Sequence, residues 1–271
     1  MSAITIERTP VRESGGRTYT RAALGVAGRT LRTTFRNPAL LTPPVFAPLI
    51  FFAIFGGGLG ALSHAPGFGY PAGYTSFSFV FILLNSVTFA ALFSGFAVAQ
   101  DLESGFARRL LLGTNRHSAT VVGYVATAAV RVALGMAVLF GVAFAVGVRV
   151  EGSAWNAAAL VAIGLGYGLA VALWAIGMAL RVRSMQGAPA MQVPALLALF
   201  LAPTFAPLAL LTGWIHGAAT WNPVSYLLES GRGFVAGHPT DVARAFLGLA
   251  VLLPLVLVWT ATGLRRASKV V

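Results

Sequence analysis

The charged residues that could do chemistry gather in one short segment between two long apolar stretches. Asp101 and Glu103 come first, Arg108 and Arg109 follow, and Gly105 lies between the two pairs. Acids before bases is the order that suits the dipole of a short helix. These residue types indicate ion pairing and docking rather than bond making. From residue chemistry alone, the segment is either a membrane-surface element or a surface that docks a partner.

Several other chemistries are excluded by residues that the sequence lacks. A P-loop needs a lysine beside the phosphates, and the only lysine is Lys269, near the carboxyl end. The absence of cysteine removes disulfides and thiolate metal sites. The four histidines lie in predicted loops without metal-ligand spacing, and none of the seven acids lies well inside an apolar stretch. We therefore expect a non-enzyme without cofactor or metal, and not a proton-driven pump.

Hydropathy predicts the elements that position the charged segment. Of the 271 residues, 57% are hydrophobic and 10% are charged, whereas soluble domains carry roughly 25% charged residues. About 20 mainly apolar residues form a helix that crosses a bilayer. The predicted fold class is an all-α integral membrane protein with six transmembrane helices. The predicted spans are Ala39–Leu62, Tyr74–Ala99, Ala119–Val148, Asn156–Leu180, Pro189–Gly213 and Val242–Leu264.

Three features modify these predicted spans. Prolines in the first, fifth and sixth spans predict kinked helices, whose freed carbonyls need donors from neighbours. The third span is too long for one straight crossing, so its first residues are expected to belong to a cytoplasmic element. Glycines in the first span, Gly56–Gly60, and in the fourth, Gly164–Gly168, are typical of close helix packing.

The distribution of basic residues predicts the orientation. Fifteen of the 19 Arg and Lys residues lie in connections on one side of the predicted spans, and cytoplasmic loops carry such an excess. We expect a multi-pass plasma-membrane protein, of bacterial type, with both termini in the cytoplasm. The net charge of +12 is then explained by membrane topology and by contact with anionic headgroups rather than with nucleic acid. The predicted domains are a cytoplasmic arm (1–38), a transmembrane domain (39–264) and a cytoplasmic tail (265–271).

Two basic elements each keep two interpretations. In the N-terminal arm, apolar residues recur at helical spacing, at Leu24, Ala27, Leu31 and Phe35. The arm is therefore either an amphipathic interfacial helix or a leader that only sets topology. Arg131 lies inside the third span, about 10 Å from its cytoplasmic edge. Its side chain either snorkels to water or contacts substrate or another helix.

A capped helix is predicted after the fifth span. Asn222 is a good N-cap, Pro223 suits the first turn and Gly231 can end the helix. Glu229 and Arg232 can pair across one turn. The pattern predicts a short re-entrant helix at the extracellular face between spans five and six, as either a structural plug or an outer gate.

Three motifs together resemble the type-2 ABC exporter membrane subunits. Asp101–Leu112 is similar to the family's coupling element, in which an acidic pair, a glycine and an Arg-Leu-Leu run join spans two and three. Arg36-Asn37-Pro38 resembles the basic-Asn-Pro entry to span one, and Asn222–Tyr226 resembles the Asn-Pro-x-x-Tyr segment. The resemblance covers most of the chain from about residue 20, and the nearest subgroup is the daunorubicin-resistance-type permeases. The chain departs from the family at 113–116, where an early proline is absent.

The resemblance implies a permease subunit that forms the path for an amphipathic drug, antibiotic or lipid. Two copies of a separate ATPase subunit would bind ATP and Mg, and a second permease copy or a related permease would complete the path. Coupling to the ATPase is implied for Asp101, Glu103, Gly105, Arg108, Arg109 and Leu110. The substrate path is implied at Phe81, Asn85, Phe89, Thr204 and Phe205. The outer gate is implied at Asn222, Pro223 and Tyr226.

Other functions remain compatible with the sequence. The aromatic residues of span two serve either lipid and packing contacts or an aromatic wall for amphipathic molecules. Export of a lipid-linked glycan or cell-envelope lipid is a second possibility. A membrane scaffold without transport activity is a third. Membrane lipids are expected partners in every case.

Overall fold

A computed structural model of the protein describes residues 15–36, 46, 49–64, 68–106 and 117–268. Every regular element in these ranges is a helix. Several predicted features, among them Arg108, Arg109 and Leu110 of the coupling element, lie outside the described residues. In chain order the α-helices are α1 (Gly15–Arg36), α2 (Gly73–Glu103), α3 (His117–Ala145), α4 (Ala154–Val182), α5 (Ala188–Phe200), α6 (Gly213–Trp221), α7 (Pro223–Val235) and α8 (Val242–Ser268).

Four of these helices, α2, α3, α4 and α8, are long and apolar enough to cross a membrane. They correspond to the second, third, fourth and sixth predicted spans. The 29 residues of α3 extend over about 43 Å at 1.5 Å per residue. Because this exceeds the ~30 Å hydrocarbon core, the ends of α3 reach beyond it. The helix α8 continues through Pro254 without interruption.

The helix α2 forms the centre of the bundle. In an 18-residue apolar stretch, 83% of the α2 residues are buried, against 11% for α8. Exposed apolar side chains on α8 include Leu247, Val251 and Leu255. In a membrane these side chains meet lipid tails, which are as apolar as leucine. Helix α2 is therefore enclosed by other helices, whereas α8 exposes an apolar face.

Close packing around α4 depends on small residues. A Cβ added at Gly95 of α2 would lie 2.5 Å from the Cβ of Ala175 on α4, and one added at Gly168 would lie 2.6 Å from Val132 on α3. Real Cβ atoms do not approach so closely, so the helices touch through glycine. The predicted packing role of Gly164–Gly168 is confirmed.

The described part of the first predicted span departs from α-helical geometry. Residues 49–52 are helical, and a π-helix (Ala53–Gly58) and a 3-10 helix (Gly60–His64) follow. A Cβ at Gly57 or Gly58 would meet no described atom within 4 Å. Among the described residues, the predicted close helix packing is therefore not seen at Gly57 or Gly58. Glycine lowers α-helix preference instead, which favours the change of helical pitch here.

The fifth predicted span is not one helix. The 13 residues of α5 reach only about 20 Å, and irregular chain follows up to a 3-10 turn at Leu208–Leu210. Pro203 and Pro207 lie in this irregular part. Proline lacks an N–H and disfavours α geometry at the preceding residue, so helix formation ends before them. The prediction of a single kinked helix over Pro189–Gly213 is wrong.

The helix α1 packs against α3 rather than standing alone. Val26 and Ala27 are buried, and a Cβ at Gly123 of α3 would lie 2.7 Å from the carbonyl oxygen of Ala23. Leu24, by contrast, is exposed. The predicted apolar arc is therefore split, since Ala27 packs on the bundle whereas Leu24 is exposed.

The helix α7 begins where the sequence predicts. The side chain of Asn222 accepts a hydrogen bond from the Val224 N–H at 3.0 Å, and Pro223 occupies the first turn. Gly231 does not end the helix, which continues to Val235. A Cβ at Gly231 would lie 2.5 Å from a Val80 methyl group. Its predicted role as a stop is wrong because Gly231 instead allows α7 to approach α2.

Candidate functional site

Asp101, in the last turn of α2, joins three helices. Its carboxylate lies 3.1 Å from Nη1 of Arg29 on α1 and accepts a 2.7 Å hydrogen bond from the hydroxyl of Tyr124 on α3. The guanidinium of Arg29 also lies over the ring of Phe106, at 3.5 Å from its centroid. We call Arg29, Asp101 and Tyr124 the Asp101 junction. These contacts tie the end of α2 to α1 and α3.

Glu103 makes a separate connection to the chain that follows α4. Its carboxylate accepts a 3.0 Å hydrogen bond from the Met185 N–H and a longer one, of 3.5 Å, from the Ser184 hydroxyl. Hydrogen bonds to an ionised carboxylate are stronger than those between neutral groups. The two acids of the predicted coupling element thus hold different neighbours.

The chain turns sharply just after these acids. Because α2 continues through Glu103, both acids belong to the end of the second long helix rather than to a separate one. Gly105 has a φ of +74°, a left-handed conformation that glycine adopts without steric cost. Of the predicted coupling residues, Asp101, Glu103 and Gly105 therefore lie together at one end of α2.

The structure places the predicted path residues in different environments. Phe81 and Phe205 approach each other, with ring centroids 5.8 Å apart, and Phe55 packs on both. Phe89 is only partly buried. The hydroxyl of Thr204 donates to the Ala202 carbonyl at 2.9 Å, so it is occupied within its own turn.

Asn85 lies one helical turn from Phe81, on the same side of α2. It is fully buried. Neither its side-chain nitrogen nor its oxygen has a hydrogen-bond partner among the described residues. An unpaired buried amide costs about 1–3 kcal/mol. Asn85 is therefore a buried polar group without a described hydrogen-bond partner in an apolar region.

Sequence reasoning predicted one partner of Arg232 but missed its contacts with the chain after α5. It is buried, and its guanidinium donates to the carbonyls of Pro203 (2.7 Å), Thr204 (2.8 Å) and Phe77 (3.3 Å). It also forms the predicted pair with Glu229, at 3.0 Å. The prolines after α5 indicated that carbonyls would need donors, but no local pattern identified the donor. Arg232 holds the break after α5 against α2 and α7.

Tyr70 supports Arg232 from the loop before α2. Its hydroxyl donates to the Arg232 carbonyl at 2.8 Å. Burial raises the pKa of Tyr70 above its ordinary value. The phenol therefore stays protonated and can donate throughout the physiological pH range.

The predicted outer-gate residues connect α5, α6 and α7. Asn222 donates its Nδ2 to the Ala198 carbonyl on α5, and the Tyr226 hydroxyl donates to the Thr220 carbonyl at 2.9 Å. Pro223 begins α7. These contacts have the character of a structural plug, and a gate function stays a prediction.

Arg131 reaches across to α2 from α3. Its Nη1 donates to the Phe93 carbonyl at 3.1 Å and lies 3.4 Å from the Ser94 hydroxyl. A cavity of about 180 Å³ lies beside it, with Gln100 and Met185 in its wall. The geometry favours the helix-contact interpretation over snorkelling to water.

The architecture defines a multi-pass membrane protein, and the described residues contain no cluster of metal-ligating side chains. Residues 24–235 match the family described as ABC-2 type transporter. The chain belongs to this family and is a membrane-spanning permease subunit of an ABC transporter. The family's permeases lack the ATPase domain. No curated protein matches the chain.

Proposed function

We propose that the protein is the permease of an ABC exporter for an amphipathic drug, antibiotic or lipid, driven by two copies of a separate ATPase subunit. Two permease copies, or this chain with a related permease, surround the path. The chain crosses the membrane six times, with both termini in the cytoplasm. In this arrangement the first predicted span and the α5 region, with its break, provide two further crossings beside the four long helices.

The Asp101 junction is the observation that carries the proposal. ATP binding closes the ATPase pair against the segment Asp101–Leu112, and Arg108, Arg109 and Leu110 belong to the docking surface. A push on this segment reaches α1 and α3 through Asp101, and the chain after α4 through Glu103. Coupling needs an element with more than one arrangement that both sites bias. The end of α2 connects the elements that such a change must move.

The substrate path begins at the aromatic group around Phe81 and Phe205. These rings offer apolar contact, and the unpaired amide of Asn85 offers a donor and an acceptor beside them. Binding pockets commonly combine an apolar lining with a few placed polar groups. An uncharged amphipathic molecule fits this combination.

A first experiment identifies the partner. The full chain is purified in mild detergent from its native host, and co-purifying proteins are analysed. A P-loop ATPase in the complex supports the proposal. A stable complex without any ATPase supports the scaffold function and contradicts it.

A second experiment tests the coupling residues in vesicles that contain the permease and its ATPase. Glu103→Arg removes the acceptor of the Met185 N–H and is expected to lower ATP-driven transport of a lipophilic dye about tenfold. Glu103→Gln keeps an acceptor oxygen and should retain most activity. Glu151→Arg is the matched control, since Glu151 is an exposed carboxylate outside the predicted coupling element. Equal transport by Glu103→Arg and wild type would contradict the coupling role.

A further inference from the structure

An apolar groove lies on the side of the bundle formed by α4, α5, α7 and α8. Its volume is about 190 Å³, and Tyr167, Trp174, Pro194 and Val256 are among its lining residues. Among the α4 residues that line the groove, Tyr167 and Trp174 are furthest apart in sequence, by seven positions. This spacing corresponds to about 10 Å along the helix.

Two stacked indoles connect this groove to a group of arginines. Trp174 packs on Trp259 of α8, with centroids 5.1 Å apart and planes at 15°. The guanidinium of Arg181 lies 3.5 Å from the centroid of Trp259. Next to it, Arg183 donates to the carbonyl of Arg266 at 3.0 Å. We call Arg181, Arg183 and Arg266 the arginine cluster.

Among the described residues, the arginine cluster donates its hydrogen bonds to neutral oxygens. Arg181 donates to the carbonyls of Gly177 and Trp259 and to the Thr262 hydroxyl. No carboxylate in the described part of the chain forms an ion pair with the cluster, although Glu103 binds the chain just after it, at Ser184 and Met185. The carboxylates have other partners or lie in the loop between α3 and α4. Their partners are Arg29 for Asp101, the Met185 N–H for Glu103, Arg232 for Glu229 and Arg244 for Asp241, and Glu151 lies in that loop. The cluster thus keeps a positive charge at one end of an apolar groove.

The spacing of groove and cluster fits one leaflet. Arg181 follows Trp174 by seven residues, about 10 Å, and Arg266 follows Val256 by ten residues, about 15 Å. Half of the hydrocarbon core is also about 15 Å. A phosphate at the arginines would therefore place an acyl chain beside the indoles and in the groove.

We propose that α4 and α8 bind one anionic phospholipid, with the phosphate on the arginine cluster and an acyl chain in the groove. Basic pockets between transmembrane helices bind anionic headgroups in this way. The charge of the cluster decides between this occupant and a zwitterionic lipid, because the latter brings no net negative charge. The inference requires membrane insertion but not the proposed export activity.

Fluorescence quenching by brominated lipid tests the proposal. The full chain, with the exposed residues Trp155, Trp214 and Trp221 changed to Phe, keeps Trp174 and Trp259 as its fluorophores. It is placed in vesicles with acyl-brominated phosphatidylglycerol or acyl-brominated phosphatidylcholine at equal mole fraction. The anionic lipid is expected to quench at roughly tenfold lower mole fraction. Equal quenching by the two lipids would overturn the proposal.

Variants separate the headgroup from the acyl chain. Arg183→Gln with Arg266→Gln should abolish the preference for the anionic lipid, whereas Arg149→Gln, an exposed arginine outside the cluster, should leave it unchanged. Ala198→Phe fills the groove and leaves the cluster intact, so it should weaken quenching by both lipids. A preference that survives the double arginine variant, or quenching unaffected by Ala198→Phe, contradicts the site.

Two further measurements test other occupants. Millimolar inorganic phosphate should not abolish the preference, because it lacks the acyl chain, and abolition would show a phosphate site instead. Quenching should not change with the protein-to-lipid ratio. Loss of quenching at high protein density would identify a second copy as the occupant of the groove and overturn the lipid assignment.

Discussion

Arg29 and Asp101 lie 72 positions apart in the chain, yet their charged groups lie 3.1 Å apart. Arg29 belongs to the first described helix, and Asp101 to the end of the central one. The pair is partly exposed, with 44% and 15% of the side chains accessible. Pairs of this kind contribute below about 1 kcal/mol to stability. Its importance therefore lies in the connection it makes between helices.

Disrupting this pair should loosen α1 without unfolding the bundle. We expect faster hydrogen exchange in α1 for Arg29→Gln and for Asp101→Asn, with a coupling energy below about 1 kcal/mol in a double-mutant cycle. Arg32→Gln is the control, since Arg32 is an exposed arginine of the same helix. Exchange in α1 that is unchanged in Arg29→Gln would argue against the junction.

Removing the buried guanidinium of Arg232 should destabilise the whole fold. Arg232→Ala leaves the carbonyls of Pro203 and Thr204 without their donor, at an expected cost of about 3 kcal/mol or more. Thermal unfolding of the purified protein in detergent measures the effect. Arg244→Ala is the matched control, because its ion pair with Asp241 is exposed, and it should change stability by less than about 0.5 kcal/mol. Similar losses for the two variants would contradict the role of Arg232.

A methyl group at the contact between α2 and α4 should be costly. Gly95→Ala forces a Cβ to within 2.5 Å of Ala175, and overpacking of this kind costs about 1–3 kcal/mol. Gly57→Ala introduces the same methyl group where no described atom lies within 4 Å, so it should be tolerated. Unfolding midpoints of the two variants distinguish them. Equal stability would show that α2 and α4 can separate without loss.

Replacing Asn85 should have opposite effects on stability and on transport. Asn85→Leu removes the unpaired buried amide and is expected to stabilise the fold by about 1–2 kcal/mol. If this amide binds substrate, transport should fall at the same time, as is common when a functional group is replaced by a better-packed one. Thermal unfolding and dye transport, measured on the same vesicles, test both outcomes. Wild-type transport in the stabilised variant would remove Asn85 from the path.

Much of the fold follows from local patterns. Apolar length predicted four of the long helices, because a crossing helix needs a continuous hydrophobic stretch and little else. The cap at Asn222 and the pair of Glu229 with Arg232 follow from spacing within one or two turns. The break after α5 was harder to predict, since prolines indicate a kink or an end with equal ease.

The sequence by itself determined a membrane protein of the ABC transporter class, with its acids and arginines concentrated at the ends of apolar helices. Only the tertiary structure decided which of these charges meet. Arg29 reaches Asp101, Glu103 reaches the Met185 N–H, and Arg232 reaches the carbonyls after α5. Hydropathy and capping act over a few residues and can be read locally. Contacts between distant residues depend on how helices pack, and at these helices that packing is set by glycine contacts such as the one between Gly95 and Ala175.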